Sequence, residues 1–260
     1  MPLTDFQAQV FRIISGNRSP DSYVAGASVI HREANSPRYS HDIDLFHDAS
    51  DAVAISSTKD AESLRSAGFE VRFILQQPSF QRANVLRGDQ ETRLEWAADS
   101  AFRFFPLVPD AVLGFRLHDA DSATNKVLAA IGRAKVRDII DLLHLNKTYM
   151  SLAVAVWAAC GKDEGFTPEM IFQELRRRGR FNEASMEDVQ ATTPINPQSI
   201  QKEWLTCLAQ AEKNAADFPV ATVGALFLDK TGAPAHGQVY DPSWVPHYGS
   251  VKGAWPKIGE

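Results

Sequence analysis

Two aspartates one residue apart, Asp42 and Asp44, have the type and spacing that metal-dependent chemistry uses. Residues 42–46 alternate polar and apolar side chains up to Phe46, which predicts a β-strand with both carboxylates on one face. Like charges this close repel each other unless a cation neutralises them. The pattern therefore predicts a site for Mg²⁺ or Mn²⁺, and the alternative is a solvated strand end without a metal.

A third carboxylate on a neighbouring strand would complete a two-metal site, which grips the attacking and leaving oxygens in phosphoryl transfer. Glu95 is the candidate for this third metal ligand, and Asp99 is the second choice. His41 and His47 flank the first strand, but a histidine beside an acidic strand is more often solvated or hydrogen-bonded than a ligand. We therefore expect three carboxylates and no histidine at the metal site.

The elements that must position these carboxylates mix helices and strands. Gly26 follows a short apolar run and precedes a second helix, so it marks a tight strand-to-helix turn. The predicted elements are a helix over 6–14, strands over 22–25 and 42–46, helices over 27–32 and 58–67, a strand over 69–75, and a hairpin of 80–87 with 92–97 around Gly88 and Asp89.

The second part of the chain has helical periodicity. Ser122 is placed to cap a helix that runs to Arg133, and helices over 135–145 and 151–160 follow. Two more helix starts are indicated where a capping side chain precedes a proline, at Thr167 and at Asn196. Residues 217–260, with irregularly spaced Pro and Trp and a hairpin-like run over 224–234, predict an extended tail packed on the body.

Composition places the chain among soluble globular proteins. Of 260 residues, 44% are hydrophobic and 23% charged, which excludes wholesale disorder and low-complexity repeats. The 27 Lys and Arg against 32 Asp and Glu give a net charge of -5. This excludes a generally basic nucleic-acid coat, although the excess of basic residues over 126–180 leaves room for a local basic groove.

Cys160 and Cys207 are the two cysteines, and each lies inside an apolar helical pattern without metal-ligand spacing. We interpret both as reduced core thiols. The amino terminus lacks the basic and apolar regions of a signal peptide, and the longest apolar run, over 152–160, is far shorter than the roughly 20 residues that span a bilayer. We therefore expect a cytoplasmic protein with no membrane contact.

Two stretches of the sequence carry a family resemblance. Residues 24–30 (VAGASVI) followed by 38–46 (RYSHDIDLF) resemble the AbiEii/AbiGii-type toxin family of nucleotidyltransferases, within the polymerase-beta-like superfamily. The family pattern is approximately Gly-Gly or Gly-Ser and then Arg-x-Ser-x-Asp-Ile-Asp-Leu. Residues 125–133 (NKVLAAIGR) and 137–142 (RDIIDL) match a second family stretch in order and spacing.

The resemblance implies an α/β (α+β) fold with a polymerase-beta-like core and a mixed sheet. We assign this core to residues 1–115, a helical domain that completes the nucleotide and acceptor cleft to 116–216, and the tail to 217–260. The implied nucleotide-binding residues are Gly26, Ala27, Ser28, Arg38, Ser40, Lys126 and Arg133, with the turn cradling the triphosphate through backbone N–H groups.

Lys126 and Asp138 are further implied catalytic residues. The resemblance assigns Lys126 to phosphate contact and Asp138 to a supporting or catalytic carboxylate, and spacing puts Arg133 on the same helix face as Lys126. One of Asp138 and Asp141 can instead pair with an arginine to orient the helices, and we favour Asp141 for this structural role. Ala27 departs from the family pattern because it offers no hydroxyl to a phosphate.

Three functions follow from the resemblance. The leading hypothesis is metal-dependent transfer of a nucleoside monophosphate from an NTP to a tRNA end or protein hydroxyl, by the toxin of a toxin–antitoxin or phage-defence pair with a cognate antitoxin. The alternatives are nucleotidylation of a small molecule, as in aminoglycoside-modifying relatives, and a binding or regulatory module with weak turnover. The basic run over 176–180 is interpreted as a solvated helix end or as an RNA contact.

Overall fold

The computed structural model describes residues 3–33, 36–40, 42–187, 189–237 and 239–257. The chain divides into two compact units, each treated separately below. The first unit comprises residues 1–101 and 107–118. The second comprises residues 102–106 and 119–260.

A seven-stranded mixed sheet organises the first unit, in the order β3-β4-β5-β2-β1-β8-β7. β2 and β5 are parallel, as are β1 and β8, and the remaining pairs are antiparallel. The strands are β1 Ser22–Ala25, β2 Asp42–His47, β3 Glu70–Gln77, β4 Phe80–Arg87, β5 Gln90–Ala98, β7 Val108–Asp110 and β8 Gly114–Arg116, while β6, Phe102–Arg103, belongs to the second unit. The mixed sheet and the predicted β4–β5 hairpin are confirmed.

One face of this sheet is closed by two long helices, and the other carries the polar side chains. The helices of the unit are α1 Asp5–Ile14, α2 Ala27–Ile30 and α3 Ser50–Ser66. Ile43, Leu45, Leu94 and Trp96 of the central strands join a single buried apolar cluster with residues of α1 and α3. Since side chains alternate along a strand, residues 42, 44, 93 and 95 project from the opposite face.

Two helices of this unit differ from the sequence prediction. α3 begins at Ser50, eight residues before the predicted start, and its buried face includes Ser57 and Asp60 beside Val53 and Leu64. Polar residues on the buried face hide the apolar periodicity on which the prediction depended. α2 ends at Ile30, two residues earlier than predicted.

The described part of the second unit contains five α-helices. They are α4 Asp119–Arg133, α5 Val136–Thr148, α6 Leu152–Lys162, α7 Pro168–Arg178 and α8 Pro197–Ala215. Residues 152–160 of α6 are all buried, so this helix is the centre of the unit. None of the described helices combines the length and apolar character that crossing a bilayer requires.

The helix starts at Ser151, Thr167 and Asn196 are confirmed, because each side chain accepts a hydrogen bond from a backbone N–H three residues later. Ser122, in contrast, does not cap α4. The helix begins at Asp119, and the Ser122 hydroxyl is buried without a hydrogen-bond partner among the described residues.

The predicted tail contains short strands. These are β9 Leu226–Leu228, β10 Val245–His247 and β11 Ser250–Val251. β10 pairs with β9, and β11 pairs with β6. Residues 245–251 are therefore held in two small antiparallel sheets of the second unit.

Candidate active site

Asp42 and Asp44 lie on one face of β2, where both side chains are half-buried. Ile43 and Leu45 between and beside them are fully buried on the other face. The period of two that predicts this arrangement is thus present in the structure. Burial of the apolar face sets the orientation of the strand, so the aspartates project away from the core.

Glu95 joins this face because β5 runs parallel to β2. The register pairs Asp44 with Glu95 and Asp42 with Arg93. Paired residues on neighbouring strands project to the same face, and such strands are about 4.8 Å apart. The structure therefore brings the three predicted carboxylates to one face of two adjacent strands.

Asp99, the second choice for the third ligand, lies just beyond β5. Its N–H donates to the carbonyl of His47 at 2.9 Å, at the end of β2 far from Asp42. Its carboxylate accepts a hydrogen bond from the Ser100 N–H at 2.8 Å. The register thus favours Glu95 over Asp99 as the partner of the aspartate pair.

Two arginines, which the sequence analysis did not select, pair with two of these carboxylates. Arg82, opposite Glu95 on β4, donates from Nε to Glu95 Oε1 at 2.8 Å. Arg93 Nη1 lies 3.7 Å from Asp42 Oδ1. Within the described residues, no three His, Cys, Asp or Glu side chains are arranged as a ready metal site. In this geometry guanidinium groups face Glu95 and Asp42, so at least two of the three negative charges have a cationic partner.

Gly26 brings the β1–α2 turn against Asp44. It has a φ of 69°, and a β-carbon added there would lie 2.1 Å from Asp44 Oδ2. That distance is well inside van der Waals contact, so no side chain fits without displacing the carboxylate. Glycine is therefore required both for the backbone conformation and for the close approach of the turn to Asp44.

Ser28 and Ser40 hold the backbone of Asp42. Their hydroxyls donate to the Asp42 carbonyl, at 3.4 Å and 2.7 Å respectively. Gln7 donates from its side-chain amide to the Ser40 carbonyl at 2.9 Å and forms a capping box with Thr4. Gln7 was missed in the sequence, although Thr and Gln three residues apart at a helix start are a recognisable capping-box signal.

Ala27 and Arg38, two other predicted nucleotide-binding residues, are buried. Ala27 is 8% exposed and begins α2 directly after the glycine turn. Arg38 is 2% exposed, and its Nη1 donates to the Tyr39 carbonyl at 2.9 Å. In this structure Arg38 thus supports the segment that leads into β2.

Lys126, in the second unit, lies in a buried ionic cluster. Its Nζ is 2.9 Å from Asp138 Oδ1 and 2.9 Å from Asp141 Oδ2. Arg133 donates two further hydrogen bonds of 2.8 Å to Asp138. The Lys126 side chain is 6% exposed and both aspartates are fully buried. These contacts join α4 to α5.

Both aspartates bind Lys126, and Asp138 also makes the arginine pair that the sequence analysis considered a structural contact. The assignment of Asp138 to function and of Asp141 to structure stays a prediction. Burial alone would raise the pKa of Asp138. The charges of Lys126 and Arg133 outweigh burial and leave that pKa below its ordinary value. Asp138 is therefore an ionised carboxylate held between two cations.

The basic run at the end of α7 is paired with acidic side chains. Arg177 and Arg178 bind Glu174 at 2.6 and 2.8 Å, and Arg176 binds Glu212. Hydrogen bonds from Arg177 and Arg178 lower the pKa of Glu174 to about 2. Arg176, Arg177 and Arg178 are each bound to an acidic side chain. This pairing favours a solvated helix surface over a contact with a polyanion.

His47 lies on the face of β2 opposite the aspartates, and His41 lies outside the described residues. Burial and the charge of Arg18 lower the pKa of His47 to about 4, and its Nε2 is 3.1 Å from the Ser22 hydroxyl. Both cysteines are free. Burial raises the pKa of the buried Cys160 to about 12 and that of the half-buried Cys207 to about 11. None of these three described groups belongs to the carboxylate face.

Comparison with known proteins shows that the chain is similar in fold to solved structures. No family model matches the chain. No curated protein matches it in sequence. Among solved structures, the MenT4 nucleotidyltransferase toxin of Mycobacterium tuberculosis matches with a TM-score of 0.60 at 15% identity, over 83% of each chain. JHP933 of Helicobacter pylori matches with a TM-score of 0.51 at 16% identity, over 82% of this chain and 95% of that one. The chain therefore has the nucleotidyltransferase fold that its resemblance to the AbiEii/AbiGii-type toxins implies.

Proposed function

We propose that this protein transfers a nucleoside monophosphate from an NTP to a macromolecular acceptor in a metal-dependent reaction. The observation that carries the proposal is the placement of Asp42, Asp44 and Glu95 on one face of two parallel strands, against the Gly26 turn. Phosphoryl transfer is catalysed chiefly by positioning and charge neutralisation, and this face offers the carboxylates that would position a neutralising cation.

The donor set fits Mg²⁺ or Mn²⁺, since all three side chains offer hard carboxylate oxygens. When bound, such an ion would neutralise phosphate charge and orient the attacking and leaving oxygens. Asp42, Asp44 and Glu95 would hold it. Arg82 and Arg93 pair with Glu95 and Asp42, and a metal ion bound there would have to replace those pairs.

The remaining nucleotide contacts are proposed from the resemblance. The backbone of Gly26, Ala27 and Ser28 contacts the triphosphate, and Ser28 and Ser40 position Asp42 through its carbonyl. Lys126 and Arg133 contact phosphate, and Asp138 orients them. For Lys126, this role requires an exchange of its aspartate partners for phosphate oxygens.

The acceptor we propose is a tRNA end or a protein hydroxyl, and the biological role is that of a toxin in a toxin–antitoxin or phage-defence pair, restrained by an antitoxin. MenT4, a similar fold, is a nucleotidyltransferase toxin, which supports this role. The two free thiols are consistent with a reducing cytoplasm.

A second candidate is a nucleotidyltransferase-fold module that binds nucleotide with little or no turnover. The Arg82–Glu95 pair favours it, because an arginine at 2.8 Å occupies the carboxylate that a metal would need. Ala27 favours it as well, since it lacks the hydroxyl of the family pattern.

Incubation with each α-phosphate-labelled NTP, Mg²⁺ and either total RNA or whole cell lysate tests the proposal. We expect the label to appear on one acceptor class and to be abolished by EDTA. Binding of NTP without label transfer to any acceptor would instead identify the regulatory module. Label on a small molecule would identify the aminoglycoside-like reaction.

A further inference from the structure

Two aromatic side chains of the second unit are unusually open to solvent. Tyr248 is 54% exposed and Trp255 is 59% exposed. Among the exposed large hydrophobic residues of the described chain, these are the only aromatic ones, and they lie seven positions apart. Exposed aromatic area of this size costs solvation free energy, so it commonly marks a contact surface.

Both residues belong to a well-anchored segment. Phe105 is buried, and its ring centroid lies 5.1 Å from that of His247 and 5.8 Å from that of Trp255. The Ala254 N–H donates to the Phe104 carbonyl at 3.2 Å, and β11 pairs with β6. An aromatic ring held in place loses little conformational entropy when a ligand stacks on it.

The segment that carries these rings has basic but no acidic residues in its sequence. Residues 242–257 contain Lys252 and Lys257, both exposed, and contain no aspartate or glutamate. Single-stranded nucleic acids are bound by this combination of aromatic faces, on which bases stack, and cations that follow the phosphates. A purely apolar protein partner would not require the lysines.

We infer that Tyr248, Lys252, Trp255 and Lys257, here called the tail platform, bind a single-stranded polynucleotide. The inference rests on the proposed function in one respect, namely that the strand bound is the RNA acceptor. Stacking by Tyr248 and Trp255 and phosphate contacts by the two lysines would hold the strand without reading its sequence.

Binding of a fluorescein-labelled single-stranded RNA of about 12 nucleotides, followed by anisotropy without NTP or Mg²⁺, tests the platform separately from catalysis. The variant pair Tyr248→Leu and Trp255→Leu removes both aromatic faces while keeping an apolar contact for Phe105. Loss of one stacked base weakens binding about fivefold or more, so the pair should weaken it roughly 25-fold or more.

The second variant pair, Lys252→Ala and Lys257→Ala, addresses the phosphates. The slope of log affinity against log salt should become shallower by about 0.7 for each lysine that contacts a phosphate. Met170→Ala with Lys213→Ala, exposed positions on α7 and α8, is the matched control and should bind like the wild type.

Absence of RNA binding by the wild-type protein at low salt would overturn the inference, and so would wild-type affinity in the aromatic pair. If thermal melting shows that Trp255→Leu unfolds the protein, the RNA affinity of Tyr248→Leu alone tests the inference. We expect this single variant to bind about fivefold more weakly than the wild type. An enzyme that transfers nucleotide but binds RNA independently of these residues would refute the platform alone. A protein that binds RNA through them without transferring nucleotide would refute the proposed function alone.

Discussion

The charged clusters of the two units use the same kinds of side chain but differ in burial. On the sheet of the first unit, Arg82 and Arg93 are 35% and 45% exposed where they meet Glu95 and Asp42. In the second unit, Lys126 is 6% exposed and its two aspartates are fully buried. The first cluster is open to exchange of partners with solvent ions, whereas the second is closed.

This difference in burial separates binding chemistry from structural support. Exposed ion pairs contribute about 0 to 1 kcal/mol, so a divalent ion or a phosphate displaces them readily. Removing one member of a buried pair leaves an uncompensated charge in the interior at a cost of about 3 to 5 kcal/mol. We therefore expect substitutions in the sheet cluster to affect chiefly activity. Substitutions in the helical cluster should affect stability, in addition to any loss of the phosphate contacts proposed for Lys126 and Arg133.

The largest effect is expected for Lys126→Ala. It leaves two buried carboxylates without their ammonium, and the free energy of unfolding should fall by about 3 to 5 kcal/mol in urea titrations. Lys213→Ala on the exposed face of α8 is the control, with a change within about 0.5 kcal/mol. The combined variant Lys126→Met, Asp138→Asn and Asp141→Asn should recover much of the loss, because it removes the three buried charges and leaves only Arg133, which is 48% exposed. A loss below 1 kcal/mol for Lys126→Ala would show that the cluster is not structural.

Asp44→Asn should lower metal-dependent transfer by about 100- to 1,000-fold, since it removes one charged contact from the proposed metal site. The melting temperature without metal should stay the same or rise, because the substitution relieves repulsion between carboxylates. Asp99→Asn, at the far end of β2, serves as the control and should retain full activity. Equal activity of Asp44→Asn and wild type in the labelled-NTP assay would remove this face from catalysis.

The smallest effect is expected for Arg82→Ala. Its exposed pair with Glu95 contributes at most about 1 kcal/mol, and the metal must displace that pair. The variant should therefore bind Mn²⁺ up to about fivefold more tightly in a calorimetric titration without nucleotide. Arg72→Ala, which loses a more exposed arginine–glutamate pair with Glu70 on β3, should leave Mn²⁺ affinity unchanged. Weaker Mn²⁺ binding in Arg82→Ala would mean that the arginine holds Glu95 in place for the metal.

The same-face aspartates could be predicted from the sequence because alternation along a strand is a local property. The helix starts at Thr167 and Asn196 were predictable for the same reason, since a cap acts within three residues. The partners of the carboxylates were not predictable. Whether Arg82 faces Glu95 depends on the register between β4 and β5. That register is set by contacts across the folded sheet and not by the local sequence.

Long-range contacts also explain why the sequence analysis placed the start of α4 wrongly, at Ser122. Asp121 accepts hydrogen bonds from the N–H groups of Phe104 and Phe105, at 2.9 and 3.0 Å, and it binds Lys162 at 2.8 Å. These partners lie 16 to 41 positions away from Asp121. A local capping rule that selects Ser122 contains no information about them, so the helix begins earlier than local sequence indicates.

The pairing of residues 102–106 with a distant segment has a consequence for synthesis on the ribosome. The His247 ring contacts the Phe104 carbonyl across 143 positions, and within the described residues β6 pairs with β11 alone. While the chain is growing, the Phe102–Phe105 segment emerges long before its partners exist. Its aromatic rings must therefore remain without their final contacts until residues 245–255 have been translated. On a ribosome stalled before those residues, the Phe102–Phe105 segment would lack its strand partner and its contacts with His247 and Trp255.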